Sequence, residues 1–351
     1  MSTAHSWPRV LSNLVAGEDL SISAAEWAMG EVVAGRASSA QIAALLVSLR
    51  IKGETVDEIV GFRDAALQNA LPLDVDPLAL DIVGSGGDPY GAVINISSVA
   101  SVIAASAGVP VIKHGNKGAS SSSGASDVLS VLGIDLDLEP RRVAEVLKET
   151  GITFAYAAKF HPGFRHAGPT RSQLGIPTLF NILGPLCNPA RPEASAVGIA
   201  SLDRVPLVVG VFRTRGATAL VYRGDDGIDK LTVTGHSHVW EVSRGFVTEH
   251  DLDPTDLGIP EAPIEAILGE GPEHNAELAR RMLAGEPGPV RDVILLNAAA
   301  GLVAFELAKD PEQNRRPFLE RMREQFARAG ELVDSGAAAA KLEQWVAATR
   351  R

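Results

Sequence analysis

The sequence predicts an α/β fold in which a small N-terminal helical domain precedes a larger domain with a mainly parallel central sheet. Two patterns support this prediction. The first seventy or so residues show helical apolar periodicity, whereas short strand-like runs alternate with helical ones from residue 78 onward. Apolar residues make up 46% of the 351 residues and charged residues 21%, which is enough apolar material for a buried core. We therefore place the helical domain at residues 1–73 and the α/β domain at 74–351.

The N-terminal segment begins its predicted helices with capping boxes, in which a Ser or Thr is followed three residues later by Glu or Gln. The three pairs are Ser23 with Glu26, Ser38 with Gln41, and Thr55 with Glu58. Gly35 and Gly53 lie where two of these helices would end. We find no catalytic constellation here and interpret the segment as a unit for packing or subunit contact.

The larger segment shows the alternation of strand, turn and helix that is typical of a parallel sheet. The predicted strands cover residues 78–84, 109–116, 152–158, 195–201 and 217–224. Two later runs alternate in the manner of antiparallel strands, and they cover residues 229–242 and 244–250. The tail from Arg291 is helical in pattern.

Composition and charge restrict the class of protein. The formal net charge of −11 disfavours generic binding of nucleic acids or membranes, but local cations can still bind a small anionic substrate. Cys187 is the single cysteine, so an intramolecular disulfide and a Cys-rich metal site are excluded. The start of the chain has no signal-peptide pattern, and the longest apolar run is shorter than a membrane helix. We expect a cytoplasmic protein with no membrane partner.

Two glycine-rich loops follow the first two predicted strands. Residues 83–98, VGSGGDPYGAVINISS, join a strand to a helix, so their backbone can approach a ligand and the helix N-terminus attracts an anion. Their spacing is neither that of a P-loop nor that of a dinucleotide fingerprint. Residues 113–133 begin with Lys113 and His114 at the end of a strand. Because the carboxyl ends of parallel strands share one edge of the sheet, both loops would face the same crevice.

Some of these side chains also have structural interpretations. Asn95, Ser97 and Ser98 could be ordinary N-caps, and His114 could be a hydrogen-bonded structural histidine. Further along, Arg171 lies among apolar neighbours and suits a bidentate contact with a carboxylate, although it could equally pair with a structural acid.

Two more segments have compositions that could carry chemistry. The breaker-rich run at 179–190, LFNILGPLCNPA, is interpreted as a fixed crossover and not as an active loop. Asp225, Asp226 and Asp229 lie in a turn after a strand, and clustered carboxylates can hold Mg²⁺ beside a pyrophosphate. For Asp225 and Asp226 we favour a simple surface turn.

Taken together, these segments closely resemble the anthranilate phosphoribosyltransferase family. The matching motifs, in chain order, are GSGGD, NISS, KHGN followed by SSSSG, HPGFRHAGPTR, GIPTLFNILGPLCNPA and GDDGID. They occur at nearly the family's spacing, and RIKGET before the last helix of the N-terminal segment agrees as well. The resemblance covers essentially the whole chain.

The resemblance implies a homodimer through the helical domain, which a segment near residues 165–190 would complete. The larger domain would be of the nucleoside phosphorylase/phosphoribosyltransferase catalytic type. The implied reaction moves phosphoribose from 5-phosphoribosyl pyrophosphate (PRPP) to the amine of anthranilate and releases pyrophosphate, as in tryptophan biosynthesis. The implied cofactor is Mg²⁺, as one or two ions, and the implied partners are the two small-molecule substrates.

Site roles carry over from the family onto matching residues. Those implied to bind PRPP are Gly84, Gly87, Asp88, Asn95, Ser97, Ser98, Lys113, Ser120 and Ser121. Those implied to hold anthranilate are His114, Asn116, His161 and Arg171, with Arg171 on its carboxylate. Lys113, Asn116 and Arg171 would be the catalytic residues, and Ser97 and Asp229 the metal ligands.

Three features depart from the family pattern, all on the PRPP and metal side. The family has Asp-Glu where this chain has Asp229 and Lys230, so a cation replaces the second metal-binding carboxylate and could meet the pyrophosphate directly. The segment before Asn95 is one residue longer than usual and has Val93 or Ile94 in place of a hydroxyl residue. The third departure is Lys117, which stands where the family usually has Arg.

These departures keep alternatives open. One is a divergent paralogue that acts on another aromatic carboxylate in specialised metabolism, and another is a non-catalytic homologue that binds nucleic acid or regulates. The net charge of −11 and the intact Arg171 segment argue against nucleic-acid binding. A pyrimidine nucleoside phosphorylase would require a loop similar to KHSTGGVGD, which the sequence lacks.

Overall fold

The computed structural model describes residues 5–117 and 123–351, which form fifteen α-helices and seven β-strands. The helices are α1 (Trp7–Val15), α2 (Ile22–Val33), α3 (Ser39–Lys52), α4 (Val56–Gln68), α5 (Ile96–Ser106), α6 (Ala125–Leu132), α7 (Pro140–Thr150), α8 (Ala157–Phe160), α9 (Gly168–Leu174), α10 (Phe180–Leu183), α11 (Val205–Arg215), α12 (Pro272–Leu283), α13 (Pro289–Lys309), α14 (Phe318–Asp334) and α15 (Ala337–Thr349). The strands are β1 (Leu80–Gly84), β2 (Val111–Gly115), β3 (Ile152–Tyr156), β4 (Ala194–Gly198), β5 (Thr218–Gly224), β6 (Ser237–Ser243) and β7 (Phe246–Leu252). None of the helices within these residues combines the length and apolarity that a membrane span requires.

The N-terminal unit consists of α1 to α4, and two of its three predicted capping boxes are confirmed. Ser38 and Thr55 each cap their helix, and each exchanges reciprocal hydrogen bonds with the residue three positions on. The prediction for Ser23 is wrong, because α2 begins two residues earlier than that box requires. There the Ser21 hydroxyl accepts the Ala24 N–H at 3.2 Å.

The sheet has seven strands in the order β3-β2-β1-β4-β5-β6-β7. The first five are parallel, and β6 and β7 extend the sheet as antiparallel strands. The chain moves outward from β1 to β3 and then returns to place β4 on the other side of β1. A reversal of this kind opens a crevice at the carboxyl ends of the strands, where ligands bind. The predicted fold class is confirmed.

The predicted strand over residues 229–242 is only half correct. The strand β6 begins at Ser237, and residues 229–233 before it lie in a buried loop. In this loop the Leu231 N–H donates to the side-chain oxygen of Asn297 at 3.1 Å, and the Asn297 amide donates to the Leu231 carbonyl at 2.9 Å. A side chain on α13 therefore satisfies the backbone groups that a neighbouring strand would otherwise pair.

Alternate residues of the central strands pack on opposite faces of the sheet, as the two-residue repeat of a strand requires. Ile82 and Leu220 belong to a core shared with α5 and α12 to α15. Val83 and Val221 belong to a second core, shared with α1 to α4 and α11. The helical unit is therefore held against one face of the sheet.

We retain the boundary between residues 73 and 74 as a proposal, since α1 to α4 precede it and the whole sheet follows it. The segment near residues 165–190 supplies Ala167, Leu179 and Leu183 to the same core as the helical unit. This packing supports the proposal that the segment completes the helical domain.

Candidate active site

A cavity of about 310 Å³ lies at the carboxyl ends of β1 and β2. The predicted site residues that line it are Gly84, Asp88, Asn95, Ser97, Ser98, Lys113, His114, Asn116, Arg171, Asp229 and Lys230. These residues come from four separate parts of the chain, so the fold brings the two glycine-rich loops together as expected. Ser120 and Ser121 lie outside the described residues.

The loop after β5 reaches this cavity because the neighbouring strand ends are glycine. A methyl group on Gly84, at the end of β1, would overlap the Asp229 carboxylate and the Lys230 ammonium. A methyl group on Gly198, at the end of β4, would overlap the Asp229 carbonyl. The missing side chains let Asp229 and Lys230 lie directly on the strand ends.

We expect the substitution Gly84→Ala to destabilise the protein by about 1–3 kcal/mol, because the added carbon must displace two buried charged groups. Denaturant unfolding followed by circular dichroism would measure the change. Gly30→Ala on α2 is the matched control, since its added carbon meets no atom within 4 Å. In a helix that change should be neutral or stabilising by up to about 1 kcal/mol. Equal unfolding free energies for Gly84→Ala and the parent would contradict the close approach.

Lys113, at the end of β2, is a buried cation in the cavity wall. Its ammonium donates to the Ile82 carbonyl at 2.7 Å and to the Ser97 hydroxyl at 3.1 Å. Burial lowers the pKa of Lys113 to about 8, while the charge of Asp81 opposes that shift. At neutral pH the group is therefore a charged donor in a site where water screens it weakly, so its attraction for an anion is strong.

The Asp81 carboxylate on β1 forms hydrogen bonds to β2 and to the loop that contains Asn188. This role was not predicted from the sequence. The carboxylate accepts the His114 N–H at 3.2 Å and the Asn188 amide at 2.9 Å. Burial raises the pKa of Asp81 to about 6, and the nearby Lys113 charge opposes that rise. The sequence does contain a signal for this role, which is an acidic residue within the apolar run LALDIVG. Because an unpaired buried charge is costly, an acid in a buried strand predicts hydrogen-bonding or charged partners elsewhere in the fold.

Asp229 and Lys230 form a buried ion pair with 2.5 Å between the ammonium and Oδ1 of the carboxylate. The other oxygen, Oδ2, accepts the Gly86 N–H at 2.7 Å. Both oxygens of Asp229 thus have partners within the protein. Asp225 is exposed, and Asp226 accepts hydrogen bonds within the turn, which agrees with the predicted surface turn.

The N-terminus of α5 faces the cavity with Ser97 and Ser98. Asn95 occupies the N-cap position, but its side chain makes no capping bond, so the N-cap interpretation is wrong for this residue. Its amide donates to the Ser123 carbonyl at 3.1 Å, and its oxygen accepts the Asn275 amide at 2.9 Å. The Ile96 and Ser98 N–H groups donate to the Ile94 and Asn95 carbonyls at 2.8 and 3.2 Å, so of the first three N–H groups of α5 the one at Ser97 is left for an anion.

In the loop after β1, Gly87 and Asp88 have different positions. Gly87 lies at the exposed tip with φ +79° and is not among the cavity-lining residues, so its contact with PRPP stays a prediction. Asp88 lines the cavity and accepts the N–H groups of Tyr90 and Gly91 at 3.0 and 2.8 Å. The Asp88 carboxylate therefore shapes the loop from within.

Arg171 and Phe180 form an aromatic and cationic part of the same cavity. The guanidinium carbon of Arg171 lies 4.7 Å from the centroid of the Phe180 ring. Half-burial lowers the pKa of Arg171, but a guanidinium remains charged at neutral pH. Within the described residues it has no carboxylate partner, so the alternative of a structural ion pair is wrong. Asn116 also lines the cavity and is exposed.

His114 is a neutral member of the cavity wall. Its Nδ1 lies 3.0 Å from the Gly184 carbonyl. Since a carbonyl only accepts, Nδ1 carries the proton and Nε2 has a free lone pair. Burial lowers the pKa of His114 to about 3, with a further contribution from His161.

The prediction that His161 lines the acceptor channel needs correction, because this residue is not part of the cavity wall. Its Nε2 lies 2.7 Å from the Cys187 carbonyl, which holds the ring in the protein interior. The ring stacks on Phe164, with 5.0 Å between the centroids, and Phe164 does line the cavity. His161 therefore supports the wall from behind.

The expectation for residues 179–190 is also corrected. The sequence pattern predicts a crossover without chemistry, yet Phe180, Asn181, Gly184 and Pro185 line the cavity. Glycine and proline interrupt regular structure here, which leaves carbonyl groups free to orient side chains such as His114. The Asn residues within an apolar, breaker-rich run were the signal available in the sequence.

Comparisons with known proteins agree with this architecture. Models of a glycosyl transferase family match residues 8–70 as its helical bundle domain and residues 76–339 as its a/b domain. A protein of Clavibacter michiganensis subsp. michiganensis, named anthranilate phosphoribosyltransferase, is 72% identical over 100% of both chains. The crystal structure of anthranilate phosphoribosyltransferase from Thermus thermophilus has a TM-score of 0.88 and 39% identity, and the match covers 97% of this chain and 99% of that one. The enzyme from Saccharomyces cerevisiae in complex with PRPP and Mg has a TM-score of 0.86 and 25% identity, and the match covers 98% of each chain. This chain therefore belongs to that glycosyl transferase family and, within it, to the anthranilate phosphoribosyltransferases.

Proposed function

We propose that this protein transfers the 5-phosphoribosyl group of PRPP to the amine of anthranilate and releases pyrophosphate, as a step of tryptophan biosynthesis. The observation that carries the proposal is a single cavity with two chemically different parts. One part offers the Lys113 and Lys230 ammonium groups and the α5 N-terminus to phosphates. The other offers Arg171 over the Phe180 ring to an aromatic carboxylate. The names of the relatives and the PRPP complex of the yeast enzyme support the same assignment.

In this proposal each substrate has its own group of side chains. PRPP contacts Gly84, Asp88, Asn95, Ser97, Ser98 and Lys113, with Ser120 and Ser121 retained as predictions. Anthranilate contacts His114, Asn116 and Arg171, with His161 behind the wall. The two groups meet where β2 ends, because Lys113 and His114 are adjacent in the chain. That adjacency brings the two reacting centres together.

The chemistry explains why the site contains few acid–base pairs. The bond between ribose C1 and the pyrophosphate oxygen breaks, and negative charge moves to the leaving group. Lys113 and the positive end of the α5 dipole stabilise that charge in a buried setting. The amine nitrogen of anthranilate forms the new bond to C1 with its lone pair and then passes one proton to the released pyrophosphate or to water. Because the arylamine is uncharged at neutral pH, alignment contributes more than a strong base would.

Neutral His114 is part of the wall against which anthranilate would align. Its Nε2 is buried and has no hydrogen-bond partner within the described residues, and its low pKa of about 3 keeps the ring from taking up a proton. Arg171 holds the carboxylate of the same molecule. The Arg171 contact and the shape of this wall would orient the amine towards C1.

We propose that magnesium enters the site with the pyrophosphate, as one ion. The Ser97 hydroxyl and phosphate oxygens suit such an ion, which would neutralise charge on the leaving group. The residues fit a second ion poorly, because both oxygens of Asp229 are already engaged and one of them pairs with Lys230. Within the described residues, no group of three or more His, Cys, Asp or Glu side chains is arranged to hold a metal.

A homodimer through the helical domain is part of the proposal. Val15 on α1 and Ile51 on α3 are 78% and 81% exposed, and large apolar side chains on the surface are what a subunit interface covers. Sedimentation velocity would show the oligomeric state. The cytoplasmic location is retained as the expectation from sequence.

An assay of PRPP, anthranilate and Mg²⁺ tests the proposed function directly. Pyrophosphate release and the loss of anthranilate fluorescence should proceed together at equal rates. The same assay with substituted benzoates and their amines tests the acceptor, and anthranilate should have the highest kcat/KM. Absence of turnover with anthranilate at every Mg²⁺ concentration would contradict the proposal.

The affinity for PRPP is expected to fall as the pH rises above about 8. Bound phosphates raise the pKa of Lys113 above its value of about 8 in the free protein. The ammonium's contribution to binding is therefore complete below the free-protein pKa and is lost as the pH rises through the higher pKa of the complex. Calorimetric titration of PRPP at several pH values would measure this decline.

Two variants control this pH experiment. In Asp81→Asn the decline should begin at a lower pH, because the Asp81 charge raises the pKa of Lys113. In Lys113→Met the decline assigned to the ammonium should be absent. A parent and a Lys113→Met variant with identical pH profiles would contradict the assignment.

A further inference from the structure

The buried pair of Asp229 and Lys230 lies in the part of the cavity that is proposed to bind the phosphates of PRPP. The Lys230 ammonium lines the same cavity as Lys113, 2.5 Å from the Asp229 carboxylate. It lies close enough to Lys113 for its positive charge to lower the pKa of that residue. Two ammonium groups thus converge on the part of the cavity that suits phosphates.

The Lys230 ammonium has unused capacity for hydrogen bonding. An ammonium carries three N–H donors, and within the described residues Lys230 has one acceptor, Asp229. The Lys230 side chain is 11% exposed and lines the cavity, so a ligand in the cavity can reach its remaining N–H groups in place of water. A polyanion in the cavity would provide the missing acceptors.

The same pair makes Asp229 a poor metal ligand. Its Oδ1 faces Lys230 and its Oδ2 accepts the Gly86 N–H at 2.7 Å. A dication beside this carboxylate would also be repelled by the buried ammonium, and burial strengthens that repulsion. The place where a carboxylate pair could have held an ion therefore presents a fixed positive charge.

We propose that the Lys230 ammonium replaces one divalent cation at the pyrophosphate group of PRPP, so that the protein binds PRPP with a single magnesium ion. The inference rests on the proposed function and specifies how its leaving-group site is built. Asp229 orients Lys230, whose remaining N–H groups donate to pyrophosphate oxygens. Gly84 makes this possible, because any side chain there would occupy the position of the ammonium.

The first test counts metal ions and needs no turnover. Mn²⁺ is titrated into the protein saturated with PRPP, without anthranilate, and free Mn²⁺ is measured by electron paramagnetic resonance. The parent should bind one ion per PRPP-bound subunit, and Lys230→Glu should bind two. Two ions in the parent would overturn the inference, and this measurement does not depend on the folding of any variant.

The second test measures binding of inorganic pyrophosphate by calorimetry in excess EDTA. Lys230→Met should bind pyrophosphate about 10- to 100-fold more weakly than the parent, the loss expected for one charge-assisted hydrogen-bonding group. Lys148→Met, at an exposed lysine on α7, is the matched control and should bind as the parent does. Equal affinities of the parent and Lys230→Met would overturn the inference.

These outcomes separate the inference from the function on which it rests. Turnover of PRPP and anthranilate together with two bound ions would overturn the inference for Lys230 and leave the proposed function intact. A parent that binds neither PRPP nor pyrophosphate would overturn both.

Discussion

The substitution Arg171→Ala is expected to lower kcat/KM for anthranilate by about 30- to 1,000-fold, because loss of a half-buried, charged hydrogen-bonding partner costs about 2–4 kcal/mol, in the lower part of the range for buried charge pairs. The Arg171 guanidinium lies over the Phe180 ring and has no carboxylate partner within the described residues, so its donors are available to the substrate. The KM for PRPP should remain close to that of the parent, since the phosphate-binding side chains lie on other loops. Steady-state kinetics with each substrate varied in turn would measure both effects.

Two further variants make the Arg171 result specific. Arg165→Ala removes an exposed arginine from the same segment and should leave both KM values unchanged. Arg171→Lys keeps the charge but loses the planar fork and the stacking on Phe180, so its kcat/KM should fall between those of the parent and Arg171→Ala. If Arg171→Ala raised the KM for PRPP and not for anthranilate, the assignment of the acceptor end would be wrong.

The substitution Lys113→Met is expected to lower kcat by about 10²- to 10³-fold, the range measured when a preorganised donor to developing charge is removed. The Lys113 ammonium is buried at the end of β2 and donates to Ser97 on α5, so it links the two loops that would surround the pyrophosphate. Pre-steady-state measurement of pyrophosphate release would show whether the chemical step has slowed. Lys148→Met, at an exposed position on α7, should retain the parent rate.

Loss of the Lys113 charge also affects folding, and a double variant separates the two effects. Lys113 offsets the buried charge of Asp81, so Lys113→Met alone should destabilise the protein. Adding Asp81→Asn removes the uncompensated charge and should restore part of the unfolding free energy without restoring kcat. If the double variant regained the parent kcat, Lys113 would have a structural role alone.

Helix caps were predictable from the sequence where a single residue could act as the N-cap. The capping boxes at Ser38 and Thr55 were predictable because both partners lie within one turn of the helix. The start of α2 was not, because Ser21 and Ser23 lie two residues apart and both carry a hydroxyl that can cap a helix. Packing of the buried Ala24 and Ala25 against the helical core decides between them.

The convergence of the two glycine-rich loops was predictable for a different reason. Parallel strands present their carboxyl ends at one edge of a sheet, so Lys113, His114 and Ser97 had to meet once the strands were recognised. The roles of residues 179–190 and of Asp81 were not predictable. They depend on contacts such as the one between Asp81 and Asn188, which lie 107 residues apart, and periodicity carries no information on such pairs.

By itself, the sequence determined the α/β class, the family resemblance and the kinds of side chain that the site contains, because periodicity, turn chemistry and motif spacing are local properties. Only the tertiary structure decided how those side chains are used. It moved His161 out of the cavity wall through its contact with the Cys187 carbonyl. It also placed the Lys230 ammonium against the Asp229 carboxylate at the end of β1, where Gly84 leaves room for both groups. The physical reason is that burial sets the strength of each charge and hydrogen bond, and burial is a property of the packed chain.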